Sequence, residues 1–117
     1  MRMIRTLLAG LVAAGILAAP ALAHAPVKER TPKPNSTVSK VRTVSVRFGE
    51  AVVTGKIQVL RGSSTLTPKS SGLEPGNKAI LRAVFARSLG KGTYTVKWRA
   101  LADDGHHESG SWTFKVS

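Results

Sequence analysis

Beyond residue 24, polar and apolar residues alternate with period two. Val44, Val46 and Phe48 alternate with Thr43, Ser45 and Arg47. Tyr94, Val96, Trp98 and Ala100 alternate with Thr93, Thr95, Lys97 and Arg99, and Trp112, Phe114 and Val116 with Thr113 and Lys115. Successive side chains of a strand point to opposite faces, so each segment predicts a strand with one buried and one wet face. Val52-Val53, Lys56 to Leu60 and Ala79 to Phe85 are weaker strand candidates; in the last, Arg82 should face out and Leu81, Ala83 and Phe85 in. Turn signals separate them: Gly49, Gly55, Arg61-Gly62-Ser63, Glu74-Pro75-Gly76-Asn77, Leu89-Gly90-Lys91-Gly92 and Asp104-Gly105. About seven short strands with regular turns predict an all-β, antiparallel β-sandwich or barrel.

The first 23 residues follow another rule. Arg2 and Arg5 precede an apolar run from Leu7 to Ala19, Pro20 breaks it, and Ala21-Leu22-Ala23 has the small-x-small form of a cleavage site. The run is shorter than the roughly 20 residues that span a bilayer, so a cleaved secretory leader over 1–23 is expected rather than an anchor. The mature domain would then be 24–117, beginning at His24 after a cut following Ala23.

That cut changes the charge. The full chain carries 18 basic and 6 acidic residues, a net +12. Two basic residues leave with the leader and no acid does, so the mature 94 residues carry +10. The basic residues are spread along the chain without like-charge blocks, which argues against a nucleic-acid module. A charge of this size favours an anionic membrane surface or an acidic partner through steering. There is no cysteine, which removes disulfides, thiol catalysis and cysteine-ligated metal centres.

The histidines carry the candidate chemistry. His24 at a new N-terminus would offer an α-amine and a ring nitrogen from one residue, able to close a chelate ring on a metal. The cluster Asp103-Asp104-Gly105-His106-His107-Glu108 follows the strand ending at Ala100. Asp104 and His106, two apart, share a side in an extended stretch, and Gly105 permits a tight turn. Amine, two imidazoles and a carboxylate form a set suited to Cu(II). Zinc accepts similar donors, and an Asp-Gly-His-His turn without any metal is equally open on spacing alone.

Several segments together resemble the CopC family, periplasmic copper-binding proteins of bacterial copper resistance. They are the mature start His24-Ala25, the turn from Thr31-Pro32 to Val38, and the strands Val44 to Val52 and Gly92 to Arg99. The ending, Asp104-Gly105-His106 followed by Gly110 to Val116, completes the likeness. The resemblance implies a cupredoxin-like (Ig-like) Greek-key fold that binds one Cu(II) per chain without turnover. It implies His24 (through amine and ring), Asp104 and His106 as metal ligands, with Glu50 and His107 as accessory candidates. It also implies a role in copper sequestration, or in delivery to a CopD-like inner-membrane transporter. The protein is expected to be a monomer. Met1 and Met3 are the only methionines and both leave with the leader. Soft Cu(I) needs thioether or thiolate ligands, so no separate methionine-rich Cu(I) site is expected.

Two other function classes fit parts of the sequence. A copper-dependent polysaccharide monooxygenase also uses an N-terminal histidine, but it needs an exposed aromatic face, and here Tyr94, Trp98, Trp112 and Phe114 sit in the inward phase of strands. A basic adhesion module without metal needs clustered cations beside accessible aromatics.

Overall fold

A computed structural model describes residues 25–117; the expected leader and His24 lie outside the described residues. Nine strands form two sheets: β1 (Val27–Thr31), β2 (Thr37–Val38), β3 (Thr43–Phe48), β4 (Thr54–Arg61), β5 (Ser64–Thr65), β6 (Ser70–Glu74), β7 (Asn77–Val84), β8 (Gly92–Leu101) and β9 (His107–Val116). One sheet has the order β1-β3-β7-β6, the other β2-β9-β8-β4-β5. The chain crosses between sheets after β1, β2, β3, β5 and β7, as in the Greek-key pattern expected of the sandwich. All pairings are antiparallel except β2 with β9. The count exceeds seven because β2 and β5 are two-residue edge pieces.

The alternation reads directly into burial. Val44, Val46 and Phe48 of β3 meet Leu81 and Ala83 of β7, and these oppose Ile57, Val59, Tyr94, Val96, Trp98, Trp112 and Phe114 of the other sheet. Each of the valine, leucine, isoleucine and phenylalanine side chains among them contributes about 1.5–3 kcal/mol when buried. Phe48 meets Trp98 edge-on at 5.2 Å, and Tyr94 stacks on Phe114 at 5.4 Å. The Trp112 indole N–H donates to the Pro32 carbonyl at 2.8 Å, tying the turn before β2 to the core. The Trp98 ring lies over Gly110, directly opposite it on β9; a Cβ at 110 would stand 2.9 Å from the indole.

Two expectations are corrected. Val52-Val53 is no strand: it lies in the connection to β4, with Val52 buried and Val53 45% exposed. The strand predicted from Trp112 to Val116 begins earlier, at His107, so His107 and Glu108 of the candidate cluster belong to β9.

Candidate metal centre

The β8–β9 hairpin closes at the pair Leu101–His107, leaving Ala102 to His106 as its tip. The tip is self-bonded: Ala102 N–H donates to the His106 carbonyl at 2.8 Å and Gly105 N–H to the Ala102 carbonyl at 3.0 Å. Gly105 has φ +91, a conformation that side-chain-bearing residues rarely adopt. That turn, rather than an extended backbone, brings Asp104 and His106 together. One Asp104 carboxylate oxygen accepts the His106 backbone N–H at 3.0 Å, and the other lies 2.6 Å from the His106 ring Nδ1.

The electrostatics follow. The backbone N–H of His106, and then its ring, hold the Asp104 carboxyl below its ordinary value, because hydrogen bonds to the charged form favour it. The carboxylate therefore stays ionised beside the ring, and the tautomer with the proton on Nδ1 donates to it. An imidazole fixed in this way by a carboxylate is a common arrangement around bound metals. The pair is accessible: the side chains of His106 and Asp104 are 65% and 33% exposed.

The other end of the chain arrives at the same pole. Ala25 is buried, and its N–H donates to Glu108 Oε2 at 2.8 Å. Ala25, Glu50, Lys78, Ala102, Asp103 and Asp104 line an open hollow of about 580 Å³. Glu50, in the bend after β3, thus shares a cavity wall with Asp104. His107 does not. It projects from the outer side of β9 and borders a different hollow, with Thr54, Lys56, Arg99 and Leu101.

Among the described residues no three His, Cys, Asp or Glu side chains converge on one point. Asp104 and His106 form a two-donor arm, and a tight site needs further donors. Glu108 is the residue that the sequence reading passed over. Counting back by twos from Trp112 through Gly110 reaches Glu108 on the inward face, a signal blunted because neither glycine nor glutamate is apolar.

Comparison with known proteins fits this arrangement. A family model described as the CopC domain matches residues 27–117. Copper resistance protein C of Pseudomonas syringae pv. tomato is 33% identical over 125 residues, covering 96% of this chain and 96% of the relative. Protein YobA of Escherichia coli strain K12 is 32% identical over 99 residues, covering 80% and 79%. The crystal structure of CopC from Methylosinus trichosporium OB3b aligns with TM-score 0.68 at 26% identity, over 80% of this chain and 94% of that one. The two-sheet sandwich and the matched span, which includes the Asp104–His106 tip, lead to one conclusion: the chain belongs to the CopC family.

Proposed function

We propose that the protein binds one Cu(II) in the periplasm and sequesters it or delivers it to a membrane partner, as a carrier without catalytic turnover. His24, through its α-amine and ring, Asp104 and His106 are the ligands, and Glu50 stands beside them as an accessory carboxylate. The observation that carries the reading is the anchoring of Ala25 at Glu108, two residues from His106. That contact brings the start of the described chain to the pole of the hairpin tip, which supports a ligand role for the residue before it. Cleavage after Ala23 then creates the amine donor where the Asp104–His106 arm already stands. The donor set is nitrogen and carboxylate oxygen, and the mature residues hold neither cysteine nor methionine, which favours Cu(II) over Cu(I).

The aromatic residues argue against an oxidative enzyme acting on polysaccharide. Phe48, Phe85, Tyr94, Trp98, Trp112 and Phe114 are each at most 6% exposed, leaving no described ring to stack on a sugar.

The test is a Cu(II) titration followed by electron paramagnetic resonance, on protein beginning at His24 and on protein with one extra residue before it. One equivalent should bind tightly, with nitrogen hyperfine structure, to the first, and weakly to the second. Equal affinity in the two would overturn the amine ligand. Periplasmic fractionation with mass spectrometry of the mature N-terminus checks the cut itself.

A further inference from the structure

The outward face of the five-stranded sheet carries a patch of cations with no acid among them. Lys56 of β4 stands directly opposite Arg99 of β8, and Gln58 opposite Lys97; Ser109 of β9 lies across from Arg99. Like charges paired across strands are destabilising, and diagonal neighbours remain within reach of long side chains. Lys56, Gln58, Lys97, Arg99 and Ser109 line a shallow hollow of about 280 Å³. The other sheet handles charge differently. There Arg47 lies 3.6 Å from Glu29, and Arg82 bonds Glu74 at 3.2 Å. The remaining acids, Glu50, Asp103, Asp104 and Glu108, lie on the bend after β3, at the hairpin tip and on the inward side of β9. None of the six acids reaches the outer face of β4, β8 and β9.

We infer that this face docks an acidic segment of a partner protein, whose Asp and Glu side chains enter the hollow between Lys56, Lys97 and Arg99. A repulsive cross-strand pair kept without a neutralising acid is complementary to carboxylates brought from outside. The hydroxyl and carboxamide groups of Ser109 and Gln58 add hydrogen-bonding partners. The hollow is concave, which suits projecting carboxylates better than a flat bilayer surface. Among the described residues Val53 is the only exposed large apolar side chain, and it lies off this face, so the face has no wedge to insert into lipid. His107 continues the face towards the hairpin tip. A partner seated there lies beside the Asp104–His106 arm. The inference deepens the carrier reading by naming the chemistry of its partner, but it is tested on metal-free protein.

The probe is a labelled oligoglutamate peptide titrated into residues 24–117 at low salt, with backbone amide NMR to map its position. Shifts should concentrate on β4, β8 and β9. The triple variant Lys56→Gln/Lys97→Gln/Arg99→Gln should weaken binding by about tenfold or more, whereas Lys33→Gln/Lys40→Gln/Lys69→Gln, with the same charge change on exposed sites elsewhere, should cost less than about threefold. Equal losses in the two triples, or shifts spread over both sheets, would overturn the docking face. Tighter binding to phosphatidylglycerol vesicles than to the peptide, abolished by the first triple, would also overturn it, in favour of a membrane surface. Peptide-independent self-association abolished by that triple would overturn it in favour of a second copy of the chain. Copper affinity measured on the same variants should not change, so failure of the docking face and failure of the copper site are read separately.

Discussion

The tip and the flank of one hairpin differ in charge, exposure and bonding. At the tip, between β8 and β9, Asp104 is locked to His106 through two hydrogen bonds, and Glu108 just behind it holds the N-terminal strand. Along the flank, Lys56, Lys97 and Arg99 point outward with no acidic partner. The separation follows from strand alternation: on β9, Glu108 turns inward while His107 and Ser109 turn outward. A domain with a large positive charge can thus keep an acid-rich end for a cation. At physiological salt the screening length is about 8 Å, so each end of the hairpin responds chiefly to its nearest charges.

The comparison can be broken first at the tip. His106→Ala removes a proposed ligand, and Cu(II) affinity should fall by roughly a hundredfold or more, while oligoglutamate binding at the flank should not change. An unchanged copper titration would move the metal site away from this hairpin. Gly110→Ala probes the body of the hairpin instead. A Cβ there would overlap the Trp98 ring, costing about 1–3 kcal/mol and lowering Tm by several degrees, measured by thermal denaturation. Both surfaces should keep their affinities in the fraction that remains folded.

A smaller effect is expected at Glu108. Glu108→Ala leaves the buried Ala25 N–H without its acceptor. Copper affinity should drop by about tenfold, as for groups that hold ligands in place, and the Ala25 amide should lose protection in hydrogen exchange. Glu108→Gln keeps an acceptor oxygen and should restore most of both. A result with Ala equal to wild type would mean that the N-terminal strand is held at the tip by other contacts.

The smallest effect concerns pH. A carboxyl depressed in the folded state contributes stability that is present above its unfolded pKa and lost as pH falls through the folded value. For Asp104 that loss lies below the ordinary value of 3.8. The stability that the Asp104 carboxylate itself contributes should therefore be complete above about pH 5, and the Tm advantage of wild type over Asp104→Asn should shrink only as the pH falls below 3.8. Any copper released between about pH 7 and about pH 5 then reports protonation of nitrogen donors, not of the carboxylate.

Much of this architecture is legible as period two in the sequence, but unevenly. β3, β8 and the latter half of β9 are plain because apolar residues fill every inward position. β1 and β6 are hidden: Val-Lys-Glu-Arg-Thr and Ser-Ser-Gly-Leu-Glu are edge strands with little to bury. Val52-Val53 misleads because a single buried valine in a crossover looks like part of a strand. The site divides the same way. Asp104 and His106 are two residues apart, so local turn chemistry announces them. The contact between Ala25 and Glu108 spans 83 positions, and nothing local in either segment specifies the other.

That contact also sets an order of events during synthesis. The β8–β9 hairpin and its Asp104–His106 tip can form from neighbouring residues, whereas bringing Ala25 to Glu108 closes nearly the whole domain into a loop, whose entropic cost rises with length. A chain emerging from its N-terminus exposes Ala25 long before Glu108. On the proposed ligand assignment, copper capture would wait until Glu108 at the start of β9 has emerged to hold Ala25.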